Sequence, residues 1–331
     1  KLEYFLMKLH HYKAAFESAI VATAQHFGIS EIYVEKDYWV TFALKIIFTD
    51  HNSKDIAVFK GGTSLSKCYG IIQRFSEDID LVLIKEDGET DNSLKRKLKK
   101  VTSVLESEMK LVPDHPLENK KGKIRKLVYG YDKVGVKGIY GQVRDQIVLE
   151  VSGLGRSYPS QKVSVHSMIT QFIATTNNQD LIKEYQLEPF NLTAISIERT
   201  FCEKIISLVR FSYTENPLED LKNKIRPTYD LHQLLQEYKI SLFLKSDDFE
   251  VMLLQVGKDD DKAIPTDKEW LSKHPLESSF FKNTEKVWES LSPTYNGQFR
   301  ELLTGELPDE KEVLQSLRSI GSRLKDIKWT I

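Results

Sequence analysis

The 331-residue sequence predicts an α+β fold, a mixed β-sheet flanked by helices and followed by an α-helical C-terminal domain. Three observations point there. Short apolar runs bounded by turn residues, at Ile56–Phe59, Ser76–Ile84, Leu127–Tyr131 and Gln146–Val151, have the length of strands. Segments with apolar residues at helical spacing precede and separate these runs. From about residue 194 the pattern is helical throughout. At about 150 residues per domain the length fits two domains, drawn at 1–190 and 191–331.

The elements follow in order. Tyr12–His26 and Ser30–Phe48 read as helices, the second with Ser30 as N-cap and Tyr33, Trp39, Ala43, Ile46 and Ile47 near one stripe. The run Ile56–Phe59 ends in Gly61-Gly62, a strand followed by a tight turn, and Thr63 and Ser64 can cap a short helix through Tyr69. Between Leu94 and Met109, Leu94, Leu98, Val101, Leu105 and Met109 repeat at helical spacing. Residues 213–227, with Pro217, Pro227 and many charges, read as a connecting loop, followed by a helix over Pro227–Tyr238. Residues 249–331 read as mostly helical with a charged break at Lys258–Lys262.

Composition narrows the function classes. Hydrophobic residues are 40% and charged residues 29%, which excludes a wholly disordered chain. Lys plus Arg is 47 and Asp plus Glu is 48, so the net charge of −1 excludes a generally basic nucleic-acid binder. The balance hides an asymmetry: residues 95–126 hold eleven basic residues against four acids, a local net of +7. Two cysteines, Cys68 and Cys202, exclude a disulfide framework, and no Cys/His cluster has zinc spacing. No apolar run approaches the roughly 18 residues of a membrane span, and no signal-peptide core is evident. The expectation is a cytoplasmic protein without a membrane partner.

The chemistry concentrates in Phe59-Lys60-Gly61-Gly62-Thr63-Ser64-Leu65-Ser66-Lys67 and Arg74-Phe75-Ser76-Glu77-Asp78-Ile79-Asp80-Leu81. Gly61 and Gly62 let backbone N–H groups approach a ligand, and Thr63 and Ser64 stand at a helix start that attracts phosphate. On a strand Asp78 and Asp80 share one face while Ile79 and Leu81 take the other. Two such charges, about 7 Å apart, repel by roughly 2 kcal/mol at an effective dielectric near 20. A divalent cation between them reverses that sign. Glu150 interrupts the apolar run Gln146–Val151, and a strand of the same sheet could place it beside the aspartates. On Ile197–Phe211, Thr200, Lys204 and Ser207 line up beside the apolar stripe, so Lys204 could reach a phosphate, with Arg210 nearby. Asp230 starts another helix. Each feature also has an ordinary reading: a capped turn, a solvated strand face, an edge strand, a surface lysine, a first-turn acid. The basic stretch can equally be a solvated amphipathic helix.

Their order resembles the nucleotidyltransferase superfamily that includes DNA polymerase β. More closely, the chain is similar to the AbiEii/AbiGii nucleotidyltransferase toxins and the related MenT toxins. That likeness rests on Val34-Glu35-Lys36-Asp37-Tyr38-Trp39-Val40, on Phe59–Leu65, on Arg74-x-Ser76-x-Asp78-Ile79-Asp80-Leu81, and on Glu198–Arg210 followed by Arg226-x-x-Tyr229-Asp230-Leu231.

The resemblance implies a nucleotidyltransferase-like sheet and NMP transfer from an NTP with Mg²⁺ (or Mn²⁺). It implies Asp78, Asp80 and Glu150 as metal ligands and, with Lys204, as catalytic residues. Gly61, Gly62, Thr63, Ser64, Lys67, Ser76, Lys204, Arg210 and Asp230 become the nucleotide-binding residues, with Ser76 orienting Asp78. The acceptor implied is RNA, the tRNA 3′ end, with Lys95, Lys97, Lys99, Lys100, Lys121 and Lys123 as its contacts. A nearby gene would supply an antitoxin without a tight complex. A small-molecule nucleotidyltransferase, or an NTP-binding protein without turnover, uses the same metal and phosphate residues.

Overall fold

The computed structural model describes residues 7–76, 78–135, 144–263 and 269–331. The chain divides into two compact units. One comprises residues 1–68, 75–153 and 161–194, and the other residues 69–74, 154–160 and 195–331.

The first unit is built on a seven-stranded mixed sheet with strands β1 (Ala57–Lys60), β2 (Ile79–Leu83), β3 (Lys110–Leu111), β4 (Ile124–Gly130), β5 (Ile147–Ser152), β6 (Ser160–Val165) and β7 (Phe190–Ile195). Their spatial order is β3-β4-β5-β2-β1-β7-β6. The pair β1–β2 is antiparallel, whereas β2–β5 and β1–β7 are parallel. Ala57, Val58 and Phe59 are buried without alternation, as expected of a strand covered on both faces. β7 alternates Phe190, Leu192 and Ala194 inward. The helices of this unit are α1 (Lys13–Phe27), α2 (Glu31–Thr49), α3 (Gly61–Lys67), α4 (Asp91–Ser103), α5 (Met168–Ala174) and α6 (Asp180–Glu184).

Helix α2 is not one-sided. Every residue from Val34 to Thr41 is buried, including the consecutive charges Glu35, Lys36 and Asp37. Helix α4 starts at Thr90, whose hydroxyl accepts from the Ser93 N–H, and buries Leu94, Leu98 and Val101. It ends earlier than its apolar spacing suggests, passing at Val104 into a 3₁₀ turn that still buries Leu105.

The second unit is helical: α7 (Ile197–Phe211), α8 (Pro217–Asn223), α9 (Arg226–Gln236), α10 (Tyr238–Lys245), α11 (Asp247–Ala263), α12 (Glu269–Ser272), α13 (Ser279–Lys282), α14 (Thr284–Thr294) and α15 (Glu310–Leu324). Helix α7 is its axis and packs against α8, α9, α10, α11 and α13.

Two expectations need correction here. The stretch 213–227 is not a loop, because it contains α8, and Pro217 and Pro227 stand in the first turns of α8 and α9. The missing N–H of proline costs nothing in a first turn, where no intrahelical acceptor exists. The charges Lys258–Lys262 do not break a helix either: α11 runs through them. Asp259 is buried there and accepts from Arg199 at 2.8 Å and Arg156 at 3.2 Å.

Candidate active site

Strand register assembles the site. Lys60 of β1 stands opposite Asp80 of β2, Asp80 opposite Glu150 of β5, and Glu150 opposite Lys126 of β4. Four neighbouring strands thus carry one row of side chains with the charge order plus, minus, minus, plus. β5 lies between β2 and β4, so Glu150 is not on an edge strand. Asp78 stands just before β2, and its backbone carbonyl accepts a 2.6 Å hydrogen bond from the Thr63 hydroxyl. Thr63 Oγ1 is also 2.9 Å from Ser76 Oγ, so Ser76 bears on Asp78 through Thr63. The Ser64 hydroxyl donates to the Gly61 carbonyl at 2.9 Å.

Gly61 is demanded twice. Its φ is +83°, and a Cβ there would lie 2.5 Å from Asp80 Oδ2. Gly61→Ala is therefore expected to lower the melting temperature, with a cost of about 1–3 kcal/mol from the left-handed conformation alone. It should also displace the Asp80 carboxylate. Thermal unfolding together with divalent-cation binding checks both effects, and a variant with native melting and native binding refutes them.

The three carboxylates are unequally compensated. Arg144 donates to Asp78 Oδ1 at 3.0 Å, and Lys126 donates to Glu150 at 3.1 Å. Among the described residues no hydrogen bond or ion pair reaches Asp80. Burial first, then Glu150 and Asp78, push its carboxyl up to about 7 against the pull of Lys60 and Lys126. Hard carboxylate oxygens with excess negative potential are what a divalent cation takes, which makes Asp78, Asp80 and Glu150 the candidates for one. Among the described residues the group of three whose ligand atoms all lie within 4.8 Å of one another is His10, His11 and Glu108, and Asp78, Asp80 and Glu150 do not close to that distance. In the histidine group, however, Glu108 is held by Lys8 and the ring of His10 by the Tyr38 hydroxyl.

A second charged cluster belongs to the helical unit. Arg74 grips Asp230 in two hydrogen bonds of 2.6 and 2.7 Å, and Lys204 Nζ lies 2.6 Å from Asp230 Oδ2. Burial opposes ionisation of Asp230, but Arg74 and then Lys204 prevail and hold the carboxyl at about 2. Two cations share this one carboxylate. The backbone N–H of Gln73 donates to the Tyr229 hydroxyl at 3.0 Å, fixing the chain just before Arg74.

Other expected site residues have partners of their own. Lys67 donates to Asp37 at 2.6 Å and to the His166 carbonyl at 3.0 Å. Arg210 pairs with Asp260 at 3.1 Å and lies over the Phe211 ring. In the basic stretch, Lys97 is half-buried between Glu86 and Glu89, and Lys123 pairs with Asp91 at 2.9 Å. Lys95, Lys99, Lys100 and Lys121 are exposed. Sequence reasoning missed Arg144 and Lys126 as partners of the acids. For Arg74, the signal in the sequence is its place two residues before the Ser76-x-Asp78-x-Asp80 run.

A mixed sheet carrying an acidic row after a glycine turn, joined to a helical unit with a buried Lys–Asp–Arg cluster, defines a nucleotidyltransferase-like protein. Comparison with known proteins makes this specific. Residues 43–316 match the family described as nucleotidyl transferase AbiEii toxin, type IV TA system, and the chain belongs to that family. Among solved structures it is similar to MenT4, a nucleotidyltransferase toxin from Mycobacterium tuberculosis, with 17% identity and a TM-score of 0.52. That likeness covers 93% of this chain and 90% of the other, and at this identity it speaks for the fold. No curated protein sequence matches the chain. Among the described residues no helix is long and apolar enough to cross a membrane.

Proposed function

We propose that this member of the toxin family transfers an NMP from an NTP to RNA, the tRNA 3′ end, with Mg²⁺ or Mn²⁺. The observation that carries the reading is Asp80: a carboxylate beside two other acids that makes no ion pair among the described residues. Asp78, Asp80 and Glu150 would hold the metal, which supplies charge neutralisation at the reacting phosphate. The backbone of Gly61–Ser64 would receive phosphate oxygens, while the Thr63 hydroxyl keeps Asp78 in place. The family resemblance gives Lys204 the neutralisation of phosphate charge, and its ion pair with Asp230 fixes it on α7. Regulation by an antitoxin from a neighbouring gene, without a tight complex, fits the type IV description of the family.

The direct test is incubation of the protein with each α-labelled NTP, Mg²⁺ and total tRNA. Label in RNA with one preferred NTP is the expected result. Absence of label in RNA with intact nucleotide binding refutes the RNA acceptor and favours a small-molecule acceptor or nucleotide binding without turnover.

Metal binding should depend on pH. The carboxyl of Asp80 is pushed up to about 7, so below that pH a cation must displace a proton. Mn²⁺ affinity measured by calorimetry is expected to rise about tenfold per pH unit below 7 and to level above it. A flat profile between pH 5.5 and 8 contradicts this.

The exposed lysines Lys95, Lys99, Lys100 and Lys121 are the RNA contacts of this reading. Changing Lys95, Lys99 and Lys100 to Gln should weaken RNA binding and reduce the salt slope by roughly 2–3, at about 0.7–0.9 per phosphate contact. An unchanged slope removes α4 from the interface.

A further inference from the structure

Helix α2 carries Glu35, Lys36 and Asp37, three consecutive buried charges with no place yet in the proposed chemistry. Lys36 shows what such a charge does. Its ammonium is fully buried and donates to two backbone carbonyls, that of Arg144 at 2.7 Å and that of Gln146. Glu35 accepts the Val134 N–H at 2.8 Å, after β4 ends. Two buried charges, adjacent in sequence, thus fix backbone at the exit of β4 and at the entry of β5.

The consequence falls on Arg144. Its backbone is anchored by Lys36, while its guanidinium is 44% exposed and meets Asp78 Oδ1 at 3.0 Å. An exposed ion pair of this kind is weak and readily exchanged. The partner is one of the acids read above as metal ligands. A cation bound at Asp78 and Asp80 must compete with this guanidinium for Asp78. The guanidinium, once displaced, stays tethered beside the same acids, and its planar fork matches phosphate oxygens.

We propose that Arg144 is a nucleotide-phosphate-binding residue that occupies Asp78 in the free protein and exchanges it for the triphosphate when the metal is bound, with buried Lys36 holding it in place. This rests on the carboxylate reading of the metal site. It makes one residue act with opposite sign on two ligands: against the metal alone, and for the nucleotide.

The experiment measures two constants on the whole chain. Mn²⁺ binding without nucleotide is followed by electron paramagnetic resonance. Binding of a non-hydrolysable NTP with saturating Mg²⁺ is followed by calorimetry. Arg144→Gln is expected to bind Mn²⁺ several-fold more tightly than the wild type and the nucleotide at least tenfold more weakly. Arg144→Lys should recover part of the nucleotide affinity. Any other pairing overturns the inference: both constants unchanged, both weaker, or tighter Mn²⁺ with native nucleotide affinity. Asp80→Asn separates the two levels of the argument. If it abolishes Mn²⁺ binding, the metal site stands and the Arg144 result decides the inference alone. If Mn²⁺ binding survives it, or is absent from the wild type, the metal reading fails and the role of Arg144 fails with it.

Discussion

Asp80→Asn is expected to abolish nucleotidyl transfer and, at pH 8, to raise the stability of the fold. The two effects have one cause. The folded protein holds this carboxyl at about 7, against an ordinary aspartate value near 3.9 in an unfolded chain. The sign follows from linkage: the native state binds the proton more tightly, so stability falls as pH rises from 3.9 through 7. Above 7 the penalty is complete. A shift of that size corresponds to at most about 4 kcal/mol, and partial solvent contact reduces the expected gain to about 1–2 kcal/mol. Asparagine keeps the shape and removes the charge, so it relieves repulsion from Glu150 and Asp78. Denaturant unfolding at pH 8 and pH 5 measures this, and the gain should shrink at pH 5. An active variant, or one less stable at both pH values, would show that Asp80 is a structural acid.

Asp230→Ala should do the reverse and destabilise strongly. Asp230 is fully buried with Arg74 and Lys204 on it, and its carboxyl is held at about 2. Removing one member of a buried ion cluster costs about 3–5 kcal/mol, because the remaining charges lose their counter-ion. Here two cations are left facing each other. In the wild type the contribution of Asp230 is complete above pH 3.9 and disappears as pH falls toward 2. Urea unfolding of the variant at pH 7 should show a midpoint lowered accordingly. The wild-type protein should lose part of the difference below pH 4. Arg74→Met with Asp230→Ala should recover part of the loss, since one stranded cation is gone. Equal stability of the wild type and Asp230→Ala would refute the cluster.

Much of the fold and the acidic site can be read from residue order. Asp80 and Glu150 are visible because each interrupts an apolar strand run, and Asp78 because it stands two residues before Asp80. The facing of Asp80 and Glu150 follows once β2 and β5 pair. What could not be read depends on distant partners. Nothing in the sequence near Arg144 points to Asp78, which lies 66 positions earlier. Lys97 reads as a free cation on a helix until the turn before α4 folds Glu86 and Glu89 back onto it. Lys258–Lys262 reads as a solvated break because Arg156 and Arg199, which neutralise Asp259, lie far upstream. Charge carries no periodic signal of its own, so pairing that spans the chain stays invisible to local patterns. Prolines misled for another reason: they begin helices as readily as they end them.

The interleaving of the two units has a practical corollary for modularity. Tyr69–Arg74 and Leu154–Ser160 are short lengths of chain that fold with the helical unit, although sheet strands flank them in sequence. A fragment ending at residue 194 would therefore keep Arg74 and Arg156 while losing Asp230 and Asp259, their acids. A fragment starting at 195 would keep the acids and lose those arginines. Neither half is a cassette that could be expressed, swapped or fused alone.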